Sequence, residues 1–181
     1  YLSAYHLTEE NLPAYLDRLE RYRPEVIVGY VSSVHLIADY IIRHGFEGRV
    51  LPRSVMVRSE TLFPWMRHDI EQAFGCPVFD GYGLGELTAL ITQCSHGGMH
   101  ISPEYGVVES VEVDGENHLV STGLFNRAMP LLRYDTGDVV EWADSGTTCP
   151  CGRGLPLVGK VLGRADDYIL TPDGRFVGPA P

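Results

Sequence analysis

The 181-residue chain is short of positive charge. Its 14 Lys and Arg stand against 24 Asp and Glu, for a net charge of -10 and a pI of about 5.0. Proteins that hold nucleic-acid backbones or anionic membranes need a basic face, so neither is expected as a partner. Long hydrophobic runs are missing too: nothing approaches the roughly 18 apolar residues of a membrane span. No signal-peptide pattern opens the chain, and the cytoplasm is the expected location. Cysteine is scarce, at Cys76, Cys94, Cys149 and Cys151 only. Cys149 and Cys151 flank a single proline, a spacing that would strain a disulfide. Reduced thiols are expected, with metal binding as the chemistry to consider and Cys76 as core filler. Repeats, low-complexity tracts and long linkers are absent as well.

What remains is enough for a core, with 44% hydrophobic residues near the globular norm. Leu12, Tyr15, Leu16 and Leu19 predict a helix within Thr8–Tyr22, capped by Thr8 or Asn11 and stopped by Arg23-Pro24. Val26-Ile27-Val28 reads as a central strand. Ser32 or Ser33 would cap a second helix carrying Val34, Ile37, Tyr40 and Ile41 and closed by Gly45. Val55-Met56-Val57 predicts a second strand, and Phe63, Met66, Ile70, Ala73 and Phe74 a third helix ending at Gly75. Cys76–Phe79 makes a third strand. Strands alternating with helices imply βαβ units on a parallel sheet. After Leu90 the texture becomes β-rich and antiparallel. Turn signals occur at Asp114–Asn117, Asp135–Asp138 and Thr171–Gly174. The predicted class is α/β, with a parallel-sheet subdomain over 1–90 ending in a glycine-rich loop. A smaller β-rich part over 91–162 and a terminal segment over 163–181 follow.

Three motifs bear chemistry. Phe79-Asp80-Gly81-Tyr82-Gly83-Leu84-Gly85-Glu86 places three glycines, one ring and two carboxylates at the carboxyl end of a predicted strand. Open α/β sheets place ligands there, and glycine makes positive φ accessible. Its bland counterpart is an ordinary glycine turn. Arg133-Tyr134-Asp135-Thr136-Gly137-Asp138 offers a carboxylate that could accept both vicinal ribose hydroxyls, or a plain hairpin turn. Gly163-Arg164-Ala165-Asp166-Asp167 could be no more than a surface ion pair.

In this order the motifs resemble the adenylate-forming acyl- and aryl-CoA ligases, in the phenylacetate-CoA ligase-like and CapK-like branch. Ser59-Glu60 stands where that family usually has Gly-Glu. The resemblance implies that this chain is part of a larger adenylate-forming domain. It implies that Tyr82 lines the adenine pocket with Asp80, Gly81 and Gly83 around the base, and that Glu86 is the catalytic Mg²⁺ ligand. Asp138 would bind the ribose, Arg164 would support ribose or phosphate, and Asp166 would be the hinge. Implied cofactors are ATP/AMP, Mg²⁺ and coenzyme A. The implied activity is that of an acid-thiol ligase: a carboxylate, an aromatic one included, attacks the α-phosphorus of ATP, and coenzyme A then displaces AMP. Two other readings are an adenylyltransferase that passes AMP to an acceptor without coenzyme A, and a non-catalytic, zinc-stabilised nucleotide-binding module. A second copy of the chain is a candidate partner. Both ends read as cut, and the family's lysine-ending phosphate loop and its C-terminal domain with the adenylation lysine find no match. The chain alone is therefore expected to be inactive.

The cysteines make a separate constellation. Cys94-Ser95-His96-Gly97-Gly98-Met99-His100 and Cys149-Pro150-Cys151 supply three thiols and an imidazole, a donor set for closed, structural tetrahedral zinc. His100, at the start of a strand, is preferred to His96 as the fourth ligand. Some members of the resembled branch carry such a knuckle. Two unrelated thiol groups are the alternative. Tyr30 is a candidate for the acid pocket, with core packing as its rival.

Overall fold

Helix α1 (Leu12–Tyr22) forms on three leucines at helical spacing: Leu12, Leu16 and Leu19 are its buried residues in the computed structural model of the chain. Residues 1–113, 115–144 and 146–164 are described in full, and 169–170 and 176–177 by backbone alone. Asn11 occupies the N-cap position with Pro13 in the first turn, where the missing N–H costs nothing. Arg23 turns left-handed at φ 50° and ends the helix. The chain divides into two units, Tyr1–Asp80 and Gly81–Pro181, so the β-rich unit is the longer one.

In the first unit, β1 (Val26–Tyr30) runs parallel to β2 (Ser54–Arg58), from Val26↔Ser54 to Tyr30↔Arg58. Helix α2 (Val31–His44) connects them, as the predicted βαβ unit requires. Helix α3 (Pro64–Phe74) follows, and the Val55 N–H donates to Pro77 O (3.0 Å) at the approach to β3 (Val78–Gly83). Gly45 and Gly75 close α2 and α3 with φ of 66° and 63°, where a Cβ would strain the backbone. The core is built from the leucines of α1, Val34, Ile37 and Ile41 of α2, Val55 and Val57, and Ile70 and Phe74 of α3. Each such side chain contributes about 1.5–3 kcal/mol by leaving water.

Two expectations are corrected here. Strand β1 is an edge among the described residues: it pairs only with β2, and Val26, Val28 and Tyr30 are 47%, 58% and 49% exposed. An unbroken apolar run does not by itself distinguish a buried strand from one with an open face. Helix α2 begins at Val31, with no serine cap. Instead the Glu60 carboxylate accepts the Ser32 N–H (2.6 Å) and the Ser32 hydroxyl (2.9 Å), placing a negative charge at the positive end of the helix.

The second unit is a sheet in the order β3-β4-β5-β9-β8-β7-β6. It comprises the end of β3, β4 (Leu90–Gln93), β5 (Met99–Ile101), β6 (Gly106–Val113), β7 (Glu116–Gly123), β8 (Tyr134–Trp142) and β9 (Leu157–Arg164). Every neighbouring pair is antiparallel. The β6–β7 hairpin is tighter than the expected turn over Asp114–Asn117: Glu116 and Asn117 already belong to β7, opposite Val113 and Glu112, and Gly115 takes a φ of 88°. β10 (Ile169–Leu170) pairs with β11 (Phe176–Val177) as a separate antiparallel ribbon. Ala89, Ile91, Ile101, Leu119, Val140 and Val158 form this unit's core. No described helix is long and apolar enough to cross a membrane.

The sheet curls on itself. A Cβ on Gly106 would overlap the Thr88 carbonyl oxygen, and one on Gly123 would lie 3.1 Å from Leu87 O. Gly106 and Gly123 are paired residues at the β6 edge, so the segment after β3 rests on the opposite edge of its own sheet. The buried Ser121 hydroxyl donates to Thr88 Oγ1 (2.8 Å) and holds it there. Gly106→Ala is therefore expected to cost about 1–3 kcal/mol by overpacking, visible as a lower Tm in circular dichroism. Gly85→Ala, with nothing within 4 Å of the added methyl, should leave Tm nearly unchanged.

Candidate functional site

The stretch from Phe79 to Glu86 is strand for most of its length. β3 continues through Gly83, with Gly81 opposite Thr92, Tyr82 opposite Ile91 and Gly83 opposite Leu90. None of Gly81, Gly83 and Gly85 takes a positive φ; the left-handed residue is Leu87, at 62°. The turn comes later than the glycines suggested, with the Leu87 N–H on Leu84 O (3.1 Å). Glu86 is half-buried on this turn and Gly83 exposed, while Asp80, on β3, is the last residue of the first unit.

The second motif is also strand rather than a hairpin turn. β8 runs straight through Asp135-Thr136-Gly137-Asp138, and its pairing with β7 shifts register between His118 and Val120. Gly137, at φ 71°, supplies the left-handed residue. The irregularity is locked by local bonds. The Asp135 carboxylate accepts the Gly137 N–H (2.9 Å), and the Thr136 hydroxyl donates to Leu119 O (2.9 Å) and accepts the Asp138 N–H (3.1 Å). His118 Nδ1 meets Asp135 at 3.1 Å. The Gly137 N–H first, and His118 second, hold the Asp135 carboxyl below its usual range against the opposing effect of burial. His118 is 9% exposed.

Tyr82 and Asp138 meet. The Tyr82 hydroxyl donates to Asp138 Oδ2 at 2.6 Å, across 56 residues of sequence. In a flat sheet their strands, four places apart, would be separated by about 19 Å, so the contact depends on the curl. Burial first, and the bond to Asp138 second, push the Tyr82 hydroxyl pKa far up, and it stays protonated. Arg164 Nε stands 4.0 Å from Asp138 Oδ1. The Tyr134 hydroxyl reaches Glu86 Oε1 at 3.4 Å, and the Glu86 charge is the main cause of that phenol's raised pKa. Tyr82, Glu86, Asp138 and Arg164 thus belong to one region of the second unit. Asp166 lies outside the described residues. Tyr134, Thr136 and Thr88 also belong to this arrangement; nothing in the sequence signals what a lone tyrosine or threonine hydroxyl will touch.

A second cluster gathers Cys94, His100, Cys149 and Cys151, whose ligand atoms all lie within 4.8 Å of one another. Cys94 Sγ is 3.5 Å from Cys149 Sγ, and Cys151 Sγ is 3.3 Å from His100 Nε2. A zinc tetrahedron with bonds near 2.0–2.3 Å has edges of about 3.5–3.8 Å, so the donors fit. A Cβ on Gly98 would come within 2.9 Å of Cys149 Sγ and 3.2 Å of His100 Nε2; this glycine makes room for the cluster. His100 is 1% exposed, and its Nδ1 has no protein partner among the described residues. Its ring's polar contact is on the sulfur side. His96 turns instead toward Ser95 Oγ (3.3 Å). Burial pushes the Cys94 thiol up, but the His96 N–H, Cys149, His100 and the Gly98 N–H together bring it down to about 6, toward the thiolate a metal needs. For Cys149 the Cys151 N–H lowers the pKa, while burial and the two neighbouring sulfurs outweigh it and raise it.

The first unit contains a cavity of about 780 Å³ lined by, among others, Tyr5, Val28, Tyr30, Val34, Arg58 and Ser59. That is within the range of small-molecule sites. Tyr30 faces this cavity rather than packing in the core. Ser59, at φ 70°, holds a left-handed conformation that costs a non-glycine residue energy.

No family model matches the chain. It is 34% identical over 177 residues to the protein CapK of Staphylococcus aureus, covering 97% of this chain and 39% of that protein. It is 30% identical over 167 residues to the phenylacetate-coenzyme A ligase of Thermus thermophilus, covering 84% and 37%. The fold matches that of 2-hydroxyisobutyryl-CoA ligase, solved in the postadenylation state with 2-HIB-AMP, at a TM-score of 0.74 and 21% identity over 96% of this chain and 39% of that one. The chain thus has the fold of that CoA ligase, and its sequence relatives place it in the adenylate-forming superfamily. Within it, the sequence falls in the branch of CapK and the phenylacetate-coenzyme A ligases. It spans less than two fifths of the length of these two curated relatives.

The cluster geometry predicts about one zinc per chain by elemental analysis. Chelation should lower Tm, because the binding energy of a closed four-ligand site is folding energy. Cys149→Ser should reduce both metal content and Tm, whereas Cys76→Ser should leave the metal content unchanged.

Proposed function

We propose that this chain forms part of an enzyme that activates a carboxylic acid with ATP and passes the acyl group to coenzyme A. The observation that carries the proposal is the 2.6 Å contact between Tyr82 and Asp138, which joins two motifs distant in sequence. The Tyr82 ring would line the purine, with Gly81 and Gly83 on either side of it in β3. Asp138 would accept the ribose hydroxyls, and Arg164 would add positive charge nearby. Glu86 would hold Mg²⁺, whose charge offsets that of the phosphates when bound.

In the first half-reaction a substrate carboxylate oxygen attacks the α-phosphorus. The bond to the bridging oxygen breaks, and pyrophosphate leaves with its electron pair. In the second, the thiol sulfur attacks the acyl carbon, AMP leaves, and the thiol proton passes to solvent. This chain's share of the acceleration is positioning and charge stabilisation. The apolar cavity bordered by Tyr30 supports a small acid with an apolar body. Zinc at the cysteine cluster would be structural, since four protein ligands leave no open position.

Transfer of AMP to another acceptor without coenzyme A is the second reading. AMP release that requires coenzyme A supports the ligase; a stable AMP conjugate supports the transferase.

Pyrophosphate exchange is the primary test. The 181-residue chain alone should show near-background exchange, and the full-length parent protein clear exchange. In the full-length protein Asp138→Ala should raise the KM for ATP by about 10–100-fold, and Glu86→Ala should lower kcat by about 10²–10³-fold. Full activity in both variants would overturn the assignment.

A further inference from the structure

We propose that the Tyr82 hydroxyl is a positioning group that aims the Asp138 carboxylate at the ribose of a bound adenine nucleotide, a role that rests on the nucleotide reading above and adds a second duty to Tyr82. Asp138 is 7% exposed, and a buried carboxylate needs donors. Its backbone N–H is already held by Thr136, which fixes the main chain and leaves the carboxylate free to turn about its last torsion, a broad and weakly restrained one. Two described groups bear on that rotation. Arg164 stands at 4.0 Å on a side chain 65% exposed, too distant and too solvated to orient it. The Tyr82 hydroxyl stands at 2.6 Å, a length that marks a strong bond to an anion.

The donor itself is fixed. Tyr82 is paired through its backbone with Ile91, and its ring packs against the core of the second unit. An ionised carboxylate has about four acceptor positions. Tyr82 takes one on Oδ2 and leaves enough for two ribose hydroxyls. The contact therefore sets the plane of the carboxylate without using up its capacity. The opposite role, a latch that nucleotide must displace, would require the bond to break on binding, and it predicts a change of opposite sign.

The test is calorimetric titration of the full-length protein with AMP and with 2′-deoxy-AMP. It compares the wild type, Tyr82→Phe, Asp138→Asn and the double variant, with Tm recorded for each. Tyr82→Phe keeps the ring and removes the donor. The expected result is about a 5–10-fold loss of AMP affinity and a similar fall in the preference for AMP over 2′-deoxy-AMP. Tyr82→Phe should have little further effect in the Asp138→Asn background, because coupled residues are not additive. A merely structural tyrosine would lower Tm without changing the ribose preference. Unchanged preference or tighter AMP binding in Tyr82→Phe would overturn the positioning role while leaving the nucleotide reading intact. No AMP binding by the wild type would overturn both. Should Tyr82→Phe fold poorly, a fluorinated tyrosine at position 82 probes the same bond with a stronger donor. It should raise the ribose preference, and no change would count against the proposal.

Discussion

Two glycines, Gly106 and Gly123, stand opposite each other at one edge of the β-rich sheet, and the backbone at Leu87 and Thr88 rests where their side chains would be. The rest of that unit depends on this close approach. It turns a seven-strand sheet back on itself, so that the turn after β3 reaches the far edge. Only then can Tyr82 on β3 touch Asp138 on β8, and Glu86 come beside Tyr134. The strained φ of Leu87 accompanies that path, and the bond between Ser121 and Thr88 helps to hold it.

The cysteine cluster acts on the same sheet from another place. Cys94 and His100 flank the β4–β5 turn, and Cys149 and Cys151 lie between β8 and β9. Between these regions the sheet itself contributes only two paired positions of β5 and β9, Met99↔Val158 and His100↔Leu157. A metal held by the four side chains would tie the short β5–β9 seam of the sheet, with β3 on one side and β8 on the other.

Much of the first unit was legible in the sequence. The leucines of α1, the glycines closing α2 and α3, and the alternation of strand and helix all act locally, through helical period and left-handed caps. The open face of β1 was not legible, because exposure depends on what lies beside a strand. Nor was the cap of α2, whose acceptor, the Glu60 carboxylate, is 28 residues from Ser32. In the second unit Cys94, His100, Cys149 and Cys151 could be proposed together because thiol and imidazole chemistry allows few alternatives.

Glycine was the least reliable guide. In Phe79–Glu86 it suggested a loop, and in Asp135–Asp138 a hairpin turn, yet the first is strand through Gly83 and the second is strand throughout. In the first, Gly81 and Gly83 are paired within the ladder at ordinary φ; in the second, Gly137 allows an irregularity in a continuing strand. The sequence by itself determined the residue chemistry: which carboxylates, rings and thiols were available, and the local periods that form the helices and hairpin. Tertiary structure alone decided which of them meet. Sheet curvature and strand order are properties of the whole hydrogen-bonded array, and no window of sequence contains both Tyr82 and the edge on which its turn comes to rest.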